Sequence, residues 1–288
     1  MTLQKNSVFV GKPGMLPSKP DQRTLELANY LHLDMFQPLP RQVDWTVKKT
    51  TPWGDMNNFT VSDCTCAAAA DMIECWTANA KAACTIDDQA VMTAFIALTG
   101  YDAATGKNDD AVELSEALKY WRKTGIGNHK IKAYAIIDHE NRDLLKAALN
   151  IFGGIYAGLS LPNSCRGQVL WDVAPGELSS DVAPGSFGGH VVAILAYDDL
   201  HVTCISWGKV KKMSWAFLDL YGVELHAILT EDFLSQNKTP LGFNVTALEM
   251  DLKKITSIED RIGMAAGQAG SKGGISGFEA GLSGTKGG

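Results

Sequence analysis

The sequence lacks any long apolar segment. No uninterrupted hydrophobic run approaches about 18 residues, the length that a helix needs to cross a bilayer. The first residues, MTLQKNSVFVGKPGMLPSKP, also lack the apolar core of a secretory signal peptide. We therefore expect no membrane partner, and a cytoplasmic or a phage- or virion-associated location.

Cysteine is scarce and has no paired spacing. The chain has six cysteines and no Cys-x-x-Cys pair, which excludes a disulfide scaffold and argues against a zinc site. Cys64, Cys66 and Cys75 lie on or near one predicted helix, so with Cys84 they form only a weak candidate ligand set. We expect no metal and no cofactor.

Positive charge is also in short supply. Lys and Arg number 26 against 32 Asp and Glu, giving a formal net charge of −6. Nucleic-acid-binding faces are usually clusters of Lys and Arg. The densest basic patch here, Lys209, Lys211 and Lys212, has the pattern of a solvated turn. We expect no nucleic-acid partner.

One stretch has the features of a nucleophile. Residues 53–78 read WGDMNNFTVSDCTCAAAADMIECWTA, a pattern that predicts a loop leading into a buried helix. Asp63 can cap this helix with its carboxylate. Cys64 then falls in the first turn, where the helix dipole favours negative charge and therefore a reactive thiolate.

Two alternatives stay open at this position. Free cysteine is among the most buried residue types, so Cys64 could simply fill the core of an Ala-rich helix. Cys66 is a rival nucleophile, because a shift of the helix start by two residues would give it the same setting. We favour Cys64, which directly follows Asp63.

A second stretch supplies a candidate general base. Residues 187–208 read FGGHVVAILAYDDLHVTCISWG. Two glycines lead into His190, a predicted strand follows over 191–197, and a second strand ends at Ser206-Trp207-Gly208. A cysteine at a helix start and a distant histidine at a strand start are the two parts of a thiol hydrolase, which the fold brings together.

These blocks resemble the papain-like cysteine peptidases. Residues 40–45, PRQVDW, resemble the Pro-x-x-Val-Asp-Trp that opens the mature domain of papain-type enzymes. Residues 64–68, CTCAA, stand in the place of the nucleophile helix, and 189–193 (GHVVA) with 205–208 (ISWG) resemble the family's histidine and Asn-Ser-Trp-Gly strands. The blocks span about residues 40–230 in the family's order, and the pattern is also similar to uncharacterised bacterial and phage members.

The resemblance implies specific roles. Cys64 would be the nucleophile and His190 the general base. Asn58 lies six positions before the cysteine (64 − 58 = 6), where the family has a glutamine that donates to the oxyanion, and the Cys64 N–H would be the second donor. Trp207 would shield the histidine from water.

One position departs from the family. Ile205 stands where the family's orienting asparagine is expected, and isoleucine cannot make a hydrogen bond. Either Ser206 or another polar group orients the imidazole, or the site works as a dyad, or it is not catalytic.

The chain has room for one large domain or two small ones, with an ample core. The resemblance implies an α+β, papain-like fold over residues 40–255, with a helical subdomain and an antiparallel β subdomain. Residues 1–39 would be an N-terminal extension, too short for a full inhibitory pro-domain. Residues 256–288 would be a flexible Gly-rich tail, a possible tether to an assembly partner.

Short-range patterns predict the individual elements. Helices are predicted over 21–31, 85–99, 112–123 and 141–149, strands over 131–137 and 151–161, and further strands or a strand and a helix over 213–220 and 224–229. The loop 163–187 repeats DVAPG at 172–176 and 181–185. We expect this loop to form one wall of the cleft, since it leads directly to His190.

The leading function is a cysteine hydrolase that cleaves amide bonds, with a peptide or protein as substrate. One alternative is another thiol acyl-transfer reaction at the same site, such as amidase or transglutaminase-like chemistry. A second is a papain-fold binding or structural protein without catalysis, which Ile205 and the Gly-rich tail favour.

Overall fold

The computed structural model describes residues 11–19, 25–31, 33, 38–80, 83–178, 180–233, 246 and 250. The chain divides into two units, 1–249 and 250–288. The second unit contributes only Met250 to the described residues, so the Gly-rich tail and the predicted domain boundary at 255 lie outside them.

The described residues form five α-helices and nine β-strands. The α-helices are α1 (Cys64–Ala80), α2 (Asp88–Thr99), α3 (Leu114–Lys123), α4 (Arg142–Phe152) and α5 (Trp215–Tyr221). The strands are β1 (Met15–Leu16), β2 (Val43–Asp44), β3 (Val112–Glu113), β4 (Ile131–Ile137), β5 (Ile155–Leu161), β6 (Gly188–Tyr197), β7 (His201–Ser206), β8 (Lys209–Ser214) and β9 (Gly222–Thr230). Single 3₁₀ turns form at Leu27–Asn29, Thr46–Lys48 and Asn163–Gly167.

One large antiparallel sheet forms the β part. Its strand order is β4-β9-β5-β6-β7-β8, with β2 paired to β6 as the seventh strand. A separate pair joins β1 and β3 in parallel. The fold class is therefore α+β, as the sequence predicted, and none of the helices in the described part is long and apolar enough to cross a membrane.

Helix α1 is central to the fold, and nearly all of its side chains are buried. Its Ala-rich sequence allows this, because small side chains let neighbouring elements approach closely on every side. Val191, Ala193 and Leu195 of β6 share one hydrophobic core with α1 and with residues of α2 and α3. The helix begins at Cys64, as the sequence predicted.

The sequence predicted several other elements correctly. Strand β4 has the predicted bounds, and α2 ends at Gly100, which adopts the left-handed conformation with φ 74°. Residues 215–221 form a helix and 222–230 a strand, which is one of the two alternatives predicted for 213–220 and 224–229.

Other element boundaries were wrong. The helix predicted from Val112 starts at Leu114, because Val112 and Glu113 pair with β1 as a strand and the Val112 N–H donates to Gly14 O. The strand predicted from Ile151 starts at Ile155, because α4 continues to a left-handed Gly153. Of the helix predicted over 21–31, the described residues 25–31 form a 3₁₀ turn at Leu27–Asn29 and a single β-bridge from Glu26 to Ile136.

Candidate active site

Cys64 is the first residue of α1, and its side chain is buried. Burial raises the pKa of the Cys64 thiol to about 12, although hydrogen bonds from the Val191 and Gly14 backbone act in the opposite direction. The thiolate expected from the helix dipole is therefore not the form that this closed site favours. Val191 directly follows His190 on β6. The strand that carries the predicted base therefore contacts the predicted nucleophile through the Val191 backbone.

Cys66 lies two residues after Cys64 in the same helix. Its thiol is buried, and burial raises its pKa as well. The Thr65 hydroxyl lies 3.9 Å from its sulfur. Cys66 therefore lies in the first turn and in the hydrophobic core, as Cys64 does, and the choice of Cys64 as the nucleophile stays a prediction.

Asp63 does not cap α1 with its side chain. Its Oδ1 accepts a hydrogen bond of 2.9 Å from Asn58 Nδ2, and its Oδ2 has no partner among the described residues. Burial raises the pKa of this carboxyl to about 8, against the opposing hydrogen bond from Asn58. The backbone carbonyl of Asp63, not the carboxylate, accepts the first bonds of the helix, from Cys66 and Ala67.

Asn58 uses both of its amide hydrogens inside its own loop. Nδ2 donates to Asp63 Oδ1 and, at 3.2 Å, to Val61 O. The side chain is 2% exposed. In this state Asn58 therefore offers no free N–H to an oxyanion, and its role as a donor stays a prediction.

The His190 imidazole contacts the Ser206 hydroxyl and stacks on the Trp207 ring. Its Nε2 lies 2.9 Å from Ser206 Oγ, while its Nδ1 has no partner among the described residues. The Trp207 ring stacks on the imidazole at 4.3 Å between centroids, with planes 21° apart. Burial lowers the pKa of His190 to about 3, so the imidazole is neutral. The Ser206 hydroxyl is within hydrogen-bond distance of the imidazole, and its role in orienting the ring stays a prediction.

Trp207 adopts an unusual backbone conformation to reach this position. Its φ is 49° and that of Gly208 is 67°, both in the left-handed region. This region is unfavourable for a bulky residue and is often retained at functional sites. A Cβ on Gly208 would lie 2.8 Å from Asp55 N, so this turn also packs tightly against the loop before α1.

Ile205 belongs to the core. It lies opposite Ala193 in the β6–β7 register and in the same hydrophobic cluster as α1. Because side chains alternate along a strand, the next residue, Ser206, points to the other face of β7 and meets His190. Strand alternation therefore places the apolar side chain at 205 in the core and the hydroxyl at 206 beside His190.

Residues 11–18, called the cleft segment below, lie across this site. Lys12 N donates to Asn58 O at 3.1 Å, and Trp207 Nε1 lies 3.4 Å from Lys12 O. Gly14 N donates to Gly189 O at 3.0 Å. The segment therefore binds both the loop before Cys64 and the strand that carries His190.

Further contacts anchor the cleft segment beyond the site. Met15 is buried, and Ser18 donates to the Glu224 carboxylate through its N–H (2.8 Å) and its hydroxyl (2.6 Å). The Lys12 ammonium pairs with Asp109. Three charge-assisted hydrogen bonds and a buried side chain hold the peptide in place.

Glycines make this close approach possible. A Cβ on Gly14 would lie 2.0 Å from Ser62 O, and one on Gly11 would lie 2.3 Å from Trp207 Cδ1. The only sequence signal for the segment is Gly-x-x-Gly at 11–14, which has no meaning without knowledge of the surface that it contacts. The sequence analysis therefore missed it.

The loop 163–187 approaches the site through its aromatic residues. The Trp171 ring lies 6.1 Å from the Trp207 ring, and the Phe187 ring lies 6.3 Å from it. The second DVAPG copy is fixed to α5, because Tyr221 donates its hydroxyl to Val182 O at 2.8 Å. The role of this loop in substrate preference stays a prediction.

Within the described residues, no group of three or more His, Cys, Asp or Glu side chains is arranged to hold a metal ion. The chemistry that the site can offer is a thiol, an imidazole within a hydrogen-bonded and stacked setting, and backbone N–H groups at the start of α1. Such a set suits nucleophilic attack on a carbonyl carbon.

Solved structures are the known proteins to which this chain is similar. No protein-family model matches the sequence, and no curated protein sequence matches it. Among solved structures, xylellain, a cysteine protease from Xylella fastidiosa, is 17% identical with a TM-score of 0.59, covering 80% of this chain and 99% of that chain.

Two further structures are similar over most of this chain. ProCathepsin B S9 from Trypanosoma congolense is 10% identical with a TM-score of 0.53, covering 81% of this chain and 89% of its own. The cysteine protease and lectin-like domains of Cwp84 from Clostridium difficile are 10% identical with a TM-score of 0.53, covering 76% and 56%. The chain therefore has the fold of the papain-like cysteine proteases.

Proposed function

We propose that the chain is a cysteine peptidase whose cleft is occupied, in this state, by its own residues 11–18. The observation that carries the proposal is the way in which the cleft segment is bound. It is held through its backbone, from Gly14 N to Gly189 O and from Val112 N to Gly14 O, each at 3.0 Å. Backbone bonds on two sides are the way in which a site recognises an extended peptide.

The reaction would use the residues beside this peptide. His190 takes the proton of the Cys64 thiol, and the thiolate attacks the carbonyl carbon of the substrate amide. The C–N bond then breaks, the amine leaves with the proton from the imidazolium, and water hydrolyses the thioester to a carboxylate and the free thiol. Ser206 holds the imidazole through Nε2, and Trp207 keeps water from that bond.

The developing oxyanion needs donors. The Cys64 N–H stands at the open first turn of α1 and supplies one. Asn58 Nδ2 supplies the second by exchanging its longer bond, the 3.2 Å contact to Val61 O, for the substrate oxygen. Its bond to Asp63 keeps the amide in place during the exchange.

The closed state explains the resting chemistry of the site. With the cleft segment in place, Cys64 and His190 are both buried and both neutral. Removal of the segment admits water to both groups, which lowers the thiol pKa and raises the imidazole pKa towards the values at which proton transfer is easy.

A test begins with the full chain, so that folding is not disturbed. A site for a sequence-specific protease is placed within residues 20–24, the folded protein is cut, and the released segment is removed by gel filtration. Turnover is then measured on a library of fluorogenic peptides and on small amides and isopeptides. We expect peptide cleavage by the cut protein only, abolished by Cys64→Ala but retained by Cys66→Ala.

A catalytically inactive binding protein is the second candidate, and the neutral, buried Cys64 and His190 favour it. The same experiment separates the two candidates. A cut protein that binds peptides but turns over no substrate, and that behaves like Cys64→Ala, supports the binding protein. Turnover of small amides or isopeptides without peptides supports amidase or transglutaminase-like chemistry instead.

A further inference from the structure

Cys84, which follows the C-terminal end of α1, faces a histidine. Cys84 Sγ lies 3.8 Å from His129 Nε2, and His129 Nδ1 lies 2.9 Å from Asp232 Oδ2. Cys84 and His129 are partly exposed. The three side chains form a relay in which the carboxylate, the imidazole and the thiol follow one another.

Three separate elements supply this relay. Cys84 follows the C-terminal end of α1, His129 closes a turn before β4, and Asp232 follows β9. Cys84 is fixed to the last turns of α1, because its N–H donates to Thr77 Oγ1 at 3.2 Å and its Sγ lies 3.3 Å from the same hydroxyl. Thr77 and Cys64 are 13 residues apart on α1 (77 − 64 = 13), which at about 1.5 Å per residue puts the two thiols roughly 20 Å apart along the helix.

The other five cysteines differ from Cys84. All are buried: Cys64, Cys66, Cys75, Cys165 and Cys204. Burial raises the pKa of each of these thiols, to about 12 for Cys64 and Cys165. A reagent in solution therefore meets Cys84 first.

The partners of His129 fix the direction of proton transfer. A carboxylate accepts hydrogen bonds, so Asp232 assigns the proton to Nδ1 and leaves the Nε2 lone pair facing the sulfur. Asp232 also stabilises the imidazolium that forms when the thiol proton moves. Thr230 Oγ1, 3.3 Å from Asp232 Oδ2, helps to hold the carboxylate.

We propose that Cys84 is a thiol-modification site that reacts with low-molecular-weight disulfides, with His129 as its base. The Cys84 proton passes to His129 Nε2, and the thiolate attacks one sulfur of the disulfide. The new S–S bond forms as the old one breaks, and the departing thiolate takes the proton from the imidazolium. The protein thiol is oxidised to a mixed disulfide, and the other half of the reagent is reduced to a thiol.

The expected gain in rate has an upper bound. An ordinary cysteine with a pKa of about 8.5 is roughly 3% ionised at pH 7, so complete assistance by a base raises the rate about 30-fold at most. The advantage disappears at alkaline pH, where the thiol ionises without help. A pH profile therefore separates a base from a residue that only holds the loop.

The test uses 2-hydroxyethyl disulfide, a neutral reagent, with the full chain. Intact mass and peptide mapping give the rate of mixed-disulfide formation at each cysteine from pH 6 to pH 10. We expect Cys84 to react first, and we expect His129→Gln to slow it at least about fivefold at pH 7, with the two rates converging near pH 10. His139→Gln, a change at another partly exposed histidine, is the matched control and should react as the wild type does.

A second variant covers the case in which His129→Gln fails to fold. Asp232→Asn can keep the hydrogen bond to Nδ1 but loses the charge that stabilises the imidazolium, so its rate at pH 7 should also fall while its thermal unfolding stays near that of the wild type. Equal rates for wild type, His129→Gln and Asp232→Asn across the pH range would overturn the proposal. So would slower reaction of Cys84 than of the buried cysteines.

Discussion

Gly14 N donates a hydrogen bond of 3.0 Å to Gly189 O, the carbonyl directly before His190. This bond joins the cleft segment to the strand that carries the proposed base. The segment also binds Asn58 O, six positions before the proposed nucleophile. A peptide of the chain itself therefore contacts the loop before Cys64 and the strand of His190, and we expect the accessibility of Cys64 to depend on that peptide.

Gly14→Ala should loosen the cleft segment. The added Cβ would lie 2.0 Å from Ser62 O, a backbone atom that cannot rotate away. We expect a loss of about 1–3 kcal/mol in the free energy of unfolding and faster alkylation of Cys64, measured by denaturation and mass spectrometry. Gly167→Ala, whose Cβ would meet nothing within 4 Å, is the matched control. Identical behaviour of the two variants would contradict the tight contact.

The free energy of unfolding should depend on pH because His190 is buried. In the unfolded chain a histidine takes up a proton near pH 6.5, whereas in the folded chain burial lowers the pKa of His190 to about 3. Unfolding therefore takes up a proton between these values, and stability falls as the pH falls. From pH 7 to pH 5 this amounts to about 2 kcal/mol. His190→Gln should remove this share of the loss, measured by denaturation at both pH values, while His226, whose pKa burial also lowers to about 3, keeps its own share.

Asp63 should change the free energy of unfolding with pH in the direction opposite to that of His190. Burial raises the pKa of this carboxyl to about 8 in the folded chain, so the folded state holds a proton that the unfolded state releases above about pH 3.8. Its contribution to stability is present at acid pH and is lost as the pH rises towards 8. Asp63→Asn should therefore steepen the fall in stability between pH 7 and pH 5, as followed by denaturation. An unchanged slope would show that the carboxyl is not buried in this way.

Ser206→Ala should impair the reaction without affecting substrate binding. The variant leaves His190 Nε2 without the hydroxyl that lies 2.9 Å away, so the ring loses its orientation. We expect kcat of the cut protein to fall at least about tenfold, with KM unchanged because Ser206 does not contact substrate. Ser206→Thr keeps the hydroxyl and should restore most of the rate. Equal kcat for Ser206→Ala and wild type would remove Ser206 from the mechanism.

Ile205→Asn should not create an orienting residue. The side chain at 205 faces the core opposite Ala193, so the amide would be buried without a partner. We expect the free energy of unfolding to fall by at least about 2 kcal/mol and no gain in activity, measured by denaturation and peptide turnover. Ile205→Val is the control for lost volume alone. A stable variant with higher kcat would show that position 205 reaches the imidazole.

Local patterns predicted the elements that carry the site. The loop-to-helix change at Cys64 and the glycines before His190 are readable because the signals lie within a few residues of each other. Ser206 could be named from the sequence as an orienting residue in place of Ile205, because alternation along a strand determines which of two neighbours faces the histidine.

Long-range contacts explain what the sequence did not reveal. The cleft segment contacts Trp207, 195 positions away from Lys12, and no local pattern encodes that pairing. The relay at Cys84 joins residues 45 and 103 positions apart. The amide of Asn58 donates to Asp63 and Val61 in this state, and its role as an oxyanion donor stays a prediction.

The most direct measurement is iodoacetamide alkylation of Cys64 at pH 7, mapped by mass spectrometry before and after the chain is cut within 20–24 and the released segment is removed. The Cys84 peptide serves as an internal reference in every sample. We predict negligible labelling of Cys64 in the intact protein and rapid labelling in the cut protein, with the gain lost in His190→Ala. Equal slow labelling of Cys64 in intact and cut protein, indifferent to His190, would contradict a peptidase held closed by its own N-terminal residues.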